Sequence, residues 1–119
     1  MQKILVADKS ESSRIILKAV LKDEGYTVIL TDNPFHVNYY ICKENPDLLI
    51  TEVIWPKINT LHYLDTVIRI CNIPIIIHTE VKDLKAIKQF INIGANDYLP
   101  KPLQADILLR MVKEYTLHY

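Results

Sequence analysis

The chain predicts an α/β fold: one domain with a parallel five-stranded sheet covered by helices on both faces, a doubly wound three-layer sandwich. Three observations carry that prediction. Short apolar runs alternate with segments of helical period five times in 119 residues, and right-handed crossovers leave few other ways to bury both kinds of segment. The run 73–78 is almost continuously apolar, as a strand covered on two faces must be. Half of the residues are hydrophobic, enough for a core without a disulfide or metal staple.

The elements follow in order. Lys3–Ala7 is apolar after its first residue and stops at charges, and residues 11–24 then space Ile15, Ile16, Ala19 and Val20 at helical intervals. Ser10, Ser12 and Ser13 offer capping hydroxyls, and Gly25 stands where a left-handed C-terminal residue belongs. The unit recurs with a β-branched strand over 26–31, Asp32 or Asn33 as cap, Pro34 in a first turn and a weaker helix over 35–44. A third strand is expected over 47–51, a loop over 52–58, a helix over 60–71 and a fourth strand over 73–78. A lysine-spaced helix of about 81–93 places Leu84, Ile87 and Ile91 on one side and ends at Gly94. Strand 96–99 and helix 104–115 close the chain. Pro100 is tolerated only at a sheet edge, which puts the last strand outermost in the order 2-1-3-4-5.

Composition excludes several functions. Fourteen Lys and Arg balance fourteen Asp and Glu, so neither nucleic acid nor an anionic membrane is the expected partner. Two glycines in the whole chain are too few for Gly-rich phosphate loops. Cys42 and Cys71 lack CxxC or zinc spacing and read as buried or half-buried free thiols of a cytoplasmic protein. No window nears the about 18 apolar residues of a membrane span, and no signal peptide is expected.

Ligand chemistry in such a sheet belongs at the carboxyl ends of the strands. Those ends carry Asp8 and Lys9, Glu52, His78 and Thr79, and Lys101. Each alone has an ordinary explanation as a strand terminus, a cap or a solvated charge. Together they form a polar constellation. His36, His62 and His118 are scattered, and Ile54 and Trp55 are an apolar pair in the loop after the third strand, read as exposed. Tyr39, Tyr40 and Tyr63 read as helix-face packing with wet hydroxyls.

The segments VADKS, LLITEVIWP, PIIIHTE and GANDYLPKP resemble the signature segments of the CheY-like receiver domain of bacterial two-component response regulators. The resemblance covers the whole chain, residues 1–119. It implies the flavodoxin-like (βα)5 fold, a third-strand acid that accepts a phosphoryl group from a sensor kinase, and Mg²⁺ held by acidic residues. It also implies a hydroxyl and a lysine that hold the phosphoryl oxygens, and a cis Lys101-Pro102 peptide. The acceptor position falls on Glu52, with Pro56 four residues on. Thr79 and Lys101 match, Tyr98 takes the switch-aromatic position, and Thr60 replaces the usual Gly.

Two of the five signature residues depart from the pattern, and both bear on the chemistry. Glu52 replaces Asp and reaches one methylene further, and misplacement of about 1 Å costs on the order of a hundredfold in transfer. Lys9 replaces a metal-ligating carboxylate and leaves Asp8 as the remaining metal-position acid. An ammonium about 4 Å from a cation repels it by roughly 4 kcal/mol per charge pair at an effective dielectric near 20, doubled for Mg²⁺. Metal binding is therefore expected to be weak or lost, with no other cofactor. The expected function is a pseudo-receiver, not an enzyme and without catalytic residues, in which Asp8 and Glu52 form an ion cluster with Lys9 and Lys101. It would act by contact with a sensor kinase or a downstream signalling protein. The family's partner surface is the fourth helix, fifth strand and fifth helix, here Lys82, Lys85, Lys88, Tyr98 and the face near Gln104 and Leu108, with homodimerisation left open. No output domain is expected within the sequence. The alternatives are a phosphorylatable receiver using Glu52 or Asp8, and a flavodoxin-like ligand binder in which Thr79 or His78 is nucleophile or base.

Overall fold

A computed structural model describes residues 2–70 and 72–116. Five parallel strands lie in the order β2-β1-β3-β4-β5: β1 Lys3–Ala7, β2 Thr27–Thr31, β3 Leu48–Thr51, β4 Ile75–Thr79 and β5 Asp97–Pro100. Helices α1 Glu11–Asp23, α2 Val37–Glu44, α3 Thr60–Ile70, α4 Leu84–Ile93 and α5 Ala105–Thr116 connect and cover them. This is the flavodoxin-like (βα)5 fold, with Pro100 on the outermost strand. The Lys101-Pro102 peptide is cis.

Strand side chains alternate between the two faces, so each strand feeds two cores. Leu5, Ala7, Leu49, Ile75 and Ile77 meet Val37 and Ile41 of α2, Leu64 and Val67 of α3, and Phe90 of α4. Ile4, Val6, Leu48, Ile50, Ile76 and Leu99 meet Leu17 and Leu21 of α1 and Leu108 and Val112 of α5. Ser10 caps α1 by accepting from the Ser13 N–H. Gly94 caps α4 at φ +141°, and Gly25 follows α1 at φ +92°.

Several boundaries and faces differ from the sequence reading. On α1 the buried residues are Leu17 and Leu21, while Ile15, Ile16 and Ala19 are exposed. Apolar residues ring much of this helix, and period alone did not choose the face. Pro34 opens a separate 3₁₀ turn, Pro34–His36, capped by Asn33, and α2 starts only at Val37. β4 continues through Thr79 because Thr79 pairs with Pro100, so α4 begins at Leu84 under an Asp83 cap. Its core side is Phe90 with Ala86 and Ile93, which leaves Leu84 71% and Ile91 38% exposed. Cys42 is exposed rather than buried, and Trp55 is buried rather than exposed. Cys71 and His118 lie outside the described residues.

Candidate functional site

The parallel register sets the site. Ala7 pairs with Thr51 and the Glu52 N–H donates to the Ala7 carbonyl at 2.8 Å, so Asp8 and Glu52 leave neighbouring strands side by side. Thr79 and Pro100 pair on the next two strands, which brings Lys101 to the same end. These strand ends deliver Glu52, Thr79 and Lys101 to one cleft of about 640 Å³, also lined by Lys9, Lys82 and Leu103.

Lys101 is the centre of the cluster. Its Nζ lies 3.0 Å from Glu52 Oε2 and 3.0 Å from Asp8 Oδ2, and it donates to Asp8 Oδ1 at 3.2 Å. Burial opposes its charge, but the hydrogen bonds and charges of Asp8 and Glu52 outweigh that and raise its pKa above 10.5. Asp8 is 1% exposed. Its Oδ1 also accepts from the Ser10 N–H at 2.9 Å, and its carbonyl accepts from Arg14 Nη1 at 2.6 Å. Asp8 Oδ2 is within ion-pair range of Lys101 but has no aligned hydrogen bond.

Glu52 is 3% exposed and its carboxylate is held on every side. Oε1 accepts from the Val53 N–H at 2.8 Å and the Ile54 N–H at 3.1 Å. Burial alone would push its pKa up, yet hydrogen bonds from Thr79, Ile54, Lys101 and Val53 together hold it below 4.5. The main chain beneath is fixed as well. The Glu52 carbonyl accepts from Thr51 Oγ1 at 2.7 Å and from Trp55 Nε1 at 3.0 Å, and Thr51 Oγ1 meets the Tyr63 hydroxyl at 2.8 Å. Burial pushes the Tyr63 pKa up to about 12.

Sequence reasoning did not find this support. Thr51 and Trp55 lie within LLITEVIWP but nothing in that segment pointed to these contacts, and only the helical spacing of Tyr63 in α3 could have aimed it at the sheet. Tyr63 is buried, so its hydroxyl is not wet. His78 is buried under the cluster, its Nδ1 2.9 Å from the Leu99 carbonyl. Burial lowers its pKa from 6.5, and although the Leu99 carbonyl opposes this, the Lys101 charge adds to it.

Lys9 does not join the cluster. Its side chain is exposed and Nζ donates to the Ile54 carbonyl at 2.8 Å. The pocket is therefore not neutral by ion pairing with two lysines; it sets two carboxylates against Lys101, with Lys9 as a separate cation at its mouth. Tyr98 is half-buried and donates from its hydroxyl to the Val81 carbonyl at 2.6 Å, and Val81 N–H reaches Thr79 Oγ1 at 3.4 Å.

Residues 4–113 match the model of the response regulator receiver domain. The chain belongs to that family. It is 30% identical to the sporulation initiation phosphotransferase F of Bacillus subtilis over 96% of this chain and 93% of that protein. It is also 31% identical to the DNA-binding transcriptional regulator NtrC of Escherichia coli over 98% of this chain and 25% of that protein. The chain thus spans a quarter of the second relative. A two-component response regulator from Clostridium difficile superposes with a TM-score of 0.91 at 27% identity, covering 97% of this chain and 95% of that one.

Receiver domains imply Mg²⁺, and the residues of this receiver fit it poorly. A hard divalent cation needs several oxygen ligands. Asp8 is enclosed by Lys101 and Ser10, Glu52 is spent on N–H groups and Lys101, and the Ile54 carbonyl already holds the Lys9 ammonium. Among the described residues no group of three or more His, Cys, Asp or Glu side chains is placed to hold a metal ion.

Proposed function

We propose that residues 1–119 form a pseudo-receiver, a cytoplasmic signalling domain that acts through protein contact, takes no phosphoryl group on Glu52 and binds Mg²⁺ weakly or not at all. One observation carries this reading: both oxygens of the buried Glu52 carboxylate are engaged, Oε1 by two N–H groups and Oε2 by Lys101. Attack on a phosphodonor would require one oxygen to abandon those partners and expose itself. A carboxylate with its pKa held down is also a weaker nucleophile. Asp8, the other candidate acceptor, is only 1% exposed and its carboxylate is enclosed by Lys101 and the Ser10 N–H.

The partner is a sensor kinase or a downstream signalling protein, met on α4, β5 and α5. Exposed Leu84 and Ile91 stand on α4 with exposed Lys85 and Lys88, exposed Lys82 precedes that helix, and exposed Gln104 directly precedes α5. Leu108 is fully buried and drops out of that surface. Such a face suits an acidic partner with an apolar centre.

The test is intact mass after incubation with acetyl phosphate and Mg²⁺. The wild type is expected to keep its mass, while the Lys9→Asp/Glu52→Asp double variant gains one phosphoryl group. A wild-type gain that Glu52→Gln abolishes would defeat the proposal.

A further inference from the structure

We infer that Lys9 is the residue that excludes divalent cations from this pocket, and that its ammonium is a tethered cation holding the loop that holds Glu52. The inference deepens the proposed function and rests on it. The Ile54 backbone is gripped from two sides: its carbonyl takes Lys9 Nζ at 2.8 Å, and its N–H gives to Glu52 Oε1 at 3.1 Å. Lys9 thereby ties the turn after β1 to the loop after β3. Its positive charge sits on an uncharged carbonyl oxygen, outside the Lys101 ion pairs.

The same contact occupies a backbone oxygen at the pocket mouth that a hard cation could use, and places a like charge there. Beneath it, Asp8 Oδ2 is buried with no aligned hydrogen bond and is met by the Lys101 ammonium at 3.0 Å. Exchanging Lys9 for a carboxylate would reverse the sign at the mouth, free the Ile54 carbonyl and bring a second acid beside Asp8. One side chain separates a tethered monovalent cation from a free divalent one.

Lys9 is exposed, so substitutions there leave no buried charge and the fold tolerates them. Trp55 is the single tryptophan of the chain and its Nε1 lies 3.0 Å from the Glu52 carbonyl, which makes it an internal probe. The experiment is Mn²⁺ titration followed by Trp55 fluorescence in wild type, Lys9→Met, Lys9→Asp and Lys9→Asp/Asp8→Asn. Wild type is expected to show no saturable quenching. Lys9→Asp is expected to reach half-quenching at an Mn²⁺ concentration at least about tenfold below that of Lys9→Met, the factor that about 1.4 kcal/mol provides. Adding Asp8→Asn is expected to abolish the saturation. Saturable quenching of the wild type would overturn the inference, as would a Lys9→Asp variant no more sensitive than wild type. No phosphodonor is present, so the two readings fail separately: a phosphate mass shift defeats Glu52 as a non-acceptor, a Lys9→Asp variant no more sensitive than wild type defeats only the role of Lys9, and saturable wild-type quenching defeats both metal claims.

Discussion

The Tyr98 hydroxyl donates to the Val81 carbonyl at 2.6 Å, which joins β5 to the segment between β4 and α4. The Val81 N–H is directed in turn at Thr79 Oγ1, and Thr79 helps hold the Glu52 pKa down. Hydrogen bonds therefore run from Thr79, beside the buried acid, through Val81 to the half-buried aromatic on the proposed partner face. Tyr98→Phe keeps the ring and removes only the bond, at a cost of about 1 kcal/mol. Hydrogen exchange at the amides of Lys82 and Leu84 is expected to quicken about fivefold, the factor that 1 kcal/mol supplies, with β1 unchanged. Equal exchange in the two proteins would show that the bond does not hold this segment.

The legible part of the molecule was what period and punctuation encode. Five alternations, Pro100 and the two terminating glycines fixed the sheet order and most boundaries within a few residues. The illegible part was tertiary. Nothing local tells α1 to bury Leu17 and Leu21 in place of Ile15 and Ile16, because both pairs are apolar and only docking on β1 and β2 decides. The site residues Asp8, Glu52, Thr79 and Lys101 were readable from their strand ends. Where Lys9 points was not, since a four-carbon stem reaches either a carboxylate or a carbonyl. The same holds for the Thr51, Tyr63 and Trp55 support, which joins residues from a strand, a loop and a helix.

Acid should weaken the protein in two stages. His78 is held below 6.5 chiefly by burial, so the unfolded chain binds that proton more readily. Its contribution is complete above 6.5 and is lost as pH falls through the folded value. Glu52 is held below 4.5 because its hydrogen bonds outweigh burial, and its contribution is lost in the same direction at lower pH. Lys101, raised above 10.5, behaves oppositely: its contribution is complete below 10.5 and disappears as pH rises through the folded value. Urea midpoints measured from about pH 7 to 5 should fall in the wild type and stay flatter in His78→Gln. Parallel curves for the two proteins would remove His78 from this account.

Gly94 and Gly25 offer a controlled comparison of strain. Both have positive φ, +141° and +92°. A Cβ at Gly25 meets nothing within 4 Å, whereas one at Gly94 lies 3.2 Å from both Ile68 Cδ1 and Ile68 Cγ2. Gly25→Ala is therefore expected to cost about 1 kcal/mol, from backbone strain alone. Gly94→Ala should cost about 1 kcal/mol more, as overpacking is added. Ile68→Val removes Cδ1 and should recover part of that excess. Equal urea midpoints for the two Ala variants would show that Ile68 moves aside freely.

Lys101 faces two buried carboxylates, which makes its loss unlike the loss of either acid. Lys101→Met leaves Asp8 and Glu52 adjacent, charged and without their shared cation, at a cost of about 3–5 kcal/mol. Glu52→Gln should cost about 1–3 kcal/mol, because Lys101 retains Asp8 while the Gln side chain keeps a carbonyl for the loop N–H groups. With Glu52→Gln already in place, Lys101→Met strands only one carboxylate and removes a like-charge neighbour. Its cost there should drop by about 0.5–3 kcal/mol, the range of coupling seen between residues in one polar network. Urea unfolding of the four proteins of this cycle measures the difference directly. Strict additivity would mean that Lys101 is held by Asp8 alone and that the 3.0 Å approach to Glu52 contributes nothing to stability.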